Sequence, residues 1–117
     1  MAFSTHLLDA RLAREKQQNE QIRQQLLQQT LDWLTANAQN YGISSGYLFG
    51  SVTVPNRFTQ RSDVDLAIET YREGDIFALM SGMPVVRDVD VVPLDQCHFA
   101  EKIRREGIAW TAKELSE

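Results

Sequence analysis

Cysteine is nearly missing from this chain: Cys97 is the only one. A lone thiol excludes an intrachain disulfide framework and a cysteine-based zinc site, and it is compatible with a reducing cytoplasm. His6 and His98 have no partners at metal-ligand spacing, and Cys97 beside His98 is too little for zinc. Basic charge is in deficit, with Lys+Arg 12 against Asp+Glu 16 and a net charge of -4. A general nucleic-acid binder carries the opposite excess. Apolar runs extend over only a few residues, whereas a membrane span needs roughly 20. With no signal-peptide pattern visible, the expectation is a soluble, cytoplasmic protein without a membrane partner. The 117 residues suffice for one domain, residues 1–117, with a real core, but not for a catalytic module plus a substrate-binding module. Whatever the chain modifies must be gripped partly by something else.

Glycine and proline are absent between Thr5 and Asn40, a stretch rich in Leu, Ala, Gln, Arg and Glu. One long helix, or two joined by a bend, is predicted over this N-terminal region. Leu27, Leu31, Leu34 and Ala38 recur at helical spacing and mark the docking face. Ala13 to Ile22 has no such stripe and reads as solvated or as a partner contact. After the turn signal Tyr41-Gly42, the run Gly46 to Phe49 reads as a buried strand. Ser51 to Ser62 reads as a loop or short helix. Asp63 to Glu69 alternates, with Val64, Leu66 and Ile68 facing the core. Glu73-Gly74-Asp75 opens a short helix capped by Asp75 and stopped by Gly82. Val85 to Val92 is a second strand, Asp95 to Glu106 a final helix stopped by Gly107, and Ile108 to Trp110 a small strand. Trp33 and Trp110 read as core or interface anchors. Lys102, Arg104 and Arg105 read as the exposed side of the last helix.

The chemistry concentrates on a few acids. A strand points residues i and i+2 to one face, so Asp63 and Asp65 project together with Val64 turned away. Crowded carboxylates repel unless cations lie between them, and two-metal phosphoryl transfer uses such a set, with ions about 3.5 to 4 Å apart. Asp88 and Asp90 share a face of the next strand, and either could complete the set. Gly50-Ser51 follows an apolar strand, where a residue without Cβ lets backbone N–H groups approach phosphate oxygens. Arg57 and Arg61 can act as phosphate clamps, since guanidinium makes bidentate contacts to oxygens; as plain surface arginines they would only keep the loop soluble.

Phe49-Gly50-Ser51, a spacer, Ser62-Asp63-Val64-Asp65-Leu66, then Val89-Asp90-Val91-Val92 and Ile103-Arg104-Arg105-Glu106-Gly107 together resemble the polymerase-β-like nucleotidyltransferases, in particular the minimal nucleotidyltransferases encoded beside HEPN-domain toxins. The similarity runs from Gly46 to the C-terminus. The spacer is one residue longer than in that group, and Val52-Thr53-Val54 stands where it usually has an arginine. The resemblance implies an α/β (α+β) fold, a twisted mixed sheet flanked by helices, with residues 46–117 as catalytic core. It also implies an antitoxin that transfers AMP from ATP to a tyrosine hydroxyl of a HEPN-type ribonuclease toxin, using ATP as substrate and two Mg2+ ions, in a hetero-oligomer with that toxin. Gly50 and Ser51 would contact the phosphates, Asp63 and Asp65 would bind both ions, and Asp90 would bind the ion beside the acceptor hydroxyl. The alternative is an antitoxin that neutralises its partner by binding and occlusion, without catalysis. Transfer to a small molecule fits less well, because no second domain is available to enclose one.

Overall fold

The absence of helix breakers has its direct consequence in α1 (Thr5–Asn37), a single helix of 33 residues. In this computed structural model the described residues are 5–71, 75–85 and 87–114. A 3-10 turn, Ala38–Tyr41, continues α1, and Gly42, at φ 76, closes it by donating its N–H to the carbonyls of Ala38 and Gln39. That left-handed conformation favours glycine.

Four strands follow: β1 (Ile43–Phe49), β2 (Val64–Tyr71), β3 (Val89–Pro93) and β4 (Ile108–Thr111), in the order β3-β2-β1-β4. The β1–β2 and β1–β4 pairs are antiparallel and β2–β3 is parallel. The sheet is therefore mixed. Helix α2 (Ile76–Gly82) lies in the crossover from β2 to β3, and α3 (Ala100–Glu106) in the connection from β3 to β4. As expected, the Asp75 carboxylate caps α2, accepting from the Ala78 N–H at 2.9 Å.

Alternation along β2 divides the core. Val64, Leu66 and Ile68 are fully buried with Leu34, Ala38, Leu48 and Leu79 on the face covered by α1 and α2. On the opposite face Ala67, Leu94 and Ile103 form a smaller cluster with Tyr47, Phe49 and Val92. Trp110 is buried in the larger cluster, and Trp33 packs at its margin against Tyr41. The Lys113 N–H donates to the Thr35 carbonyl at 2.6 Å, fastening the chain beyond β4 to α1.

Only the second half of α1 docks. Residues 6–18 are all exposed, and the molecule extends 69 Å along its long axis against 30 and 20 Å across. The docking seam centres on Leu26, Thr30, Leu34 and Ala38, with the expected Leu27 and Leu31 partly buried at its side. Apolar periodicity could not place the seam's centre there, because Thr30 is polar. Its hydroxyl donates to the Leu26 carbonyl at 2.7 Å, so it is buried without an unmet hydrogen bond.

Other boundaries also move. The first strand starts at Ile43 rather than Gly46. The predicted strand from Val85 begins at Val89 instead, because its parallel partner starts at Val64, whose N–H donates to the Asp88 carbonyl at 2.9 Å. Val86, within that predicted strand, and Glu73-Gly74, predicted to lead into α2, lie outside the described residues. The expected helix from Asp95 is a 3-10 turn, Leu94–Gln96, followed by extended backbone at Cys97 and then the shorter α3. Burial of Leu94 holds the turn against the sheet, which separates it from α3.

Candidate functional site

Register brings the acids to one end of the sheet. Asp65 is paired with Phe49 on one side and Asp90 on the other. Asp63 stands just before β2, two residues from Asp65, so all three address the same face. Asp65 is half-buried, and its carboxyl is pushed above the usual carboxylate range, first by burial and then by the charges of Asp90 and Asp63. The three groups thus form one electrostatic unit. Asp88 lies just before β3, two residues from Asp90, and its backbone carbonyl accepts from the Val64 N–H. Asp90 is the register partner of Asp65, and Asp88 is not.

Gly50 meets this unit directly. It has φ 77, and a Cβ there would lie 2.2 Å from Asp65 Oδ2. No other residue type could bring the backbone so close to that carboxylate in this conformation. The chain then makes a 3-10 turn, Gly50–Thr53, in which the Thr53 hydroxyl donates to the Gly50 carbonyl at 2.8 Å.

An ion-pair latch from α1 holds the turn, and sequence reading missed it. Arg23 is buried, and its Nη1 donates to the Val52 carbonyl at 3.1 Å, while Nε donates to Glu20 Oε1 at 2.9 Å. Glu20 Oε2 accepts the Asn56 N–H at 2.7 Å, which secures a residue at φ 64. Hydrogen bonds from Arg23, then from Asn56, hold the Glu20 carboxyl down to about 2. The sequence signal was an i, i+3 Glu–Arg pair in a stretch otherwise rich in polar residues. Nothing in its spacing distinguishes it from a solvated pair.

Arg57 and Arg61 are both exposed. Arg61 borders an open depression of about 380 Å3 with Asp63, Arg87 and Asp88. Arg57 lies outside it. Arg87, also unforeseen, stacks its guanidinium 5.1 Å from the centre of the Phe58 ring and donates to the Gln60 carbonyl. It stands in the same depression as Asp63 and Asp88 and adjoins Asp90 in a second one of about 410 Å3. Among the described basic residues bordering these depressions, Arg87 has its guanidinium anchored by the Phe58 ring and the Gln60 carbonyl. Glu69 is turned to other work, lying 3.8 Å from Arg104 Nε.

Beside Gly50 on the α3 side is a cleft of about 500 Å3, bounded by Phe49, Val54, Phe99, Lys102 and Glu106. Lys102, a plain surface lysine by sequence, therefore borders a cavity.

Among the described residues no group of three or more His, Cys, Asp or Glu side chains is placed to hold a metal ion. Magnesium does not require such a group. It takes hard oxygen donors, keeps several waters, and is commonly held by one or two carboxylates together with substrate phosphates. The half-buried Asp65, flanked by Asp63 and Asp90 on one face, fits that donor chemistry.

Among the described residues no helix is long and apolar enough to cross a membrane. No protein family, no curated protein and no solved structure matches the chain.

Proposed function

We propose that this chain is a magnesium-dependent nucleotidyltransferase that transfers AMP from ATP to a tyrosine hydroxyl of a HEPN-type toxin and so acts as its antitoxin. The reading is carried by one juxtaposition: Gly50, in the left-handed conformation, stands against Asp65, whose register partner is Asp90. A glycine turn that exposes backbone N–H groups beside a cluster of coupled carboxylates suits a polyanionic substrate and its counter-ions. The resemblance of the Gly50-Ser51, Asp63-Val64-Asp65 and Asp90 motifs to the minimal nucleotidyltransferases supports the same conclusion.

In this mechanism Gly50 and Ser51 bind phosphate oxygens through the turn, and the Arg23 latch keeps that turn rigid. Asp63, Asp65 and Asp90 would hold the two Mg2+ ions, which supply positive charge to the triphosphate and lower the pKa of the attacking hydroxyl when bound. Asp90, exposed at the edge of the acid face, would take the tyrosine proton, since a phenol with a pKa near 10 is a weak nucleophile at neutral pH. The tyrosine oxygen forms its bond to the α-phosphorus as the bond to the β-phosphate bridging oxygen breaks, and pyrophosphate leaves. Arg87 and Arg61 border the side of Asp63 and can offset charge that grows on departing oxygens.

The test is to incubate the chain with ATP, Mg2+ and its toxin partner and weigh the partner by mass spectrometry. A gain of whole AMP units is expected. An unchanged mass, with ATP shown to bind, sinks the proposal.

A second reading, neutralisation by occlusion, is favoured by the projecting half of α1, where Leu7, Leu8 and Leu12 are exposed on a helix with no core to cover. Asp63→Asn with Asp65→Asn separates the two: neutralisation that survives this pair of changes intact does not depend on catalysis.

A further inference from the structure

The cleft on the α3 side of Gly50 is not used by the chemistry above. Its walls are unusual for an exposed surface. Phe99 is 49% exposed, and its ring meets Phe49 edge-on, with centroids 6.0 Å apart at 62°. Val54, 42% exposed, faces the same space from the turn region. At the rim, Lys102 Nζ and Glu106 Oε2 stand 4.0 Å apart with both side chains more than half exposed. A volume of about 500 Å3 lies within the roughly 300–1,000 Å3 typical of small-molecule sites.

Gly50 belongs to both the cleft and the acid face. A ligand lying in the cleft and continuing past Gly50 must therefore change character, from a flat apolar group to an anionic one. A nucleoside triphosphate has that order along its length. Lys102 only donates hydrogen bonds and Glu106 only accepts them, so the pair complements a ring edge that presents an acceptor next to a donor, as adenine does at N7 and N6.

We propose that this cleft is the nucleobase pocket, with a purine stacked on Phe99 against Phe49 and its edge read by Lys102 and Glu106. The inference rests on the nucleotidyltransferase reading, and its test separates the two. Binding of ATP and of inorganic tripolyphosphate to the full chain is measured by calorimetry with Mg2+ present. The intact chain binds ATP more tightly than tripolyphosphate. Because base stacking is tolerant of ring identity, Phe99→Ala weakens ATP about tenfold or more toward the tripolyphosphate value, leaves tripolyphosphate unchanged, and Phe99→Trp restores ATP. Phe99 is half exposed, so the variants fold. Unchanged ATP affinity in Phe99→Ala overturns the pocket while leaving the phosphate site intact. Equal loss of both ligands also overturns it, because the ring would then act through the turn and not on a base. If neither ligand binds the intact chain, the nucleotide reading falls and the pocket with it.

Discussion

Arg23 of α1 donates a hydrogen bond from Nη1 to the carbonyl of Val52, 29 residues further along the chain, at 3.1 Å. Val52 is fully buried and follows Gly50-Ser51 directly, so the long helix reaches into the site through this bond. Replacing Arg23 with Met strands the Val52 carbonyl and leaves the Glu20 carboxylate with only the Asn56 N–H and the Gln24 amide as donors. A loss of about 1–3 kcal/mol is expected, read as a lower urea midpoint. Arg23→Lys restores little, because a single ammonium cannot serve the carbonyl and the carboxylate as the planar fork does.

The same latch makes stability acid-sensitive. Glu20 is depressed from 4.5 to about 2 in the folded chain, so its contribution is fully present above pH about 4.5 and is lost as pH falls toward 2. Urea midpoints across that window should drop more steeply for the parent chain than for Glu20→Gln. Parallel curves for the two proteins would refute the assignment.

Gly50→Ala places a methyl group 2.2 Å from Asp65 Oδ2 in a backbone conformation at φ 77. The strain alone costs about 1–3 kcal/mol, and the clash adds to it. In an Asp65→Ala background the same change should cost less, because the clash is gone while the φ strain remains. Measuring all four proteins gives the coupling; additive costs would show that the two residues do not touch.

Asp65→Asn should abolish transfer without weakening the fold. The Asp65 carboxyl is raised by burial and by Asp90 and Asp63, so its charged form opposes folding at neutral pH, and stability rises as pH falls through its range. The neutral amide relieves that opposition, and the urea midpoint at pH 7 should equal or exceed the parent's. A clear drop in midpoint would show that Asp65 holds the fold together rather than serving chemistry.

Chelation supplies an independent check. EDTA should stop AMP transfer, and added Mg2+ should restore it, while circular dichroism stays unchanged, because among the described residues no carboxylate is buried in the core. Transfer that continues in EDTA would remove the ions from the mechanism.

How far the primary structure could be read depends on the range of the interaction. α1, the alternation of Val64, Leu66 and Ile68 in β2, the Asp75 cap and the stop at Gly107 all rest on contacts within a few residues, and each was legible. The burial of Arg23 was not, since its partner carbonyl at Val52 is 29 residues away; Thr30 is the exception to range, because its bond to Leu26 is local but a polar residue is invisible to hydrophobic periodicity. Val89 as the start of β3 was missed for a similar reason: a strand begins where its neighbour offers hydrogen bonds, and Val64 lies 25 positions away by register.

Composition and spacing alone determined that Asp63 and Asp65 share a face, that the N-terminal third is helical, and that no disulfide braces the chain. Only tertiary structure decided that Asp90, rather than Asp88, stands opposite Asp65, that Gly50 presses against that same carboxylate, and that Arg87 and Phe99 border cavities beside them. The physical reason is that local periodicity sets which way a side chain points. What it points at is set by strand register and by the distant backbone that fills the space opposite.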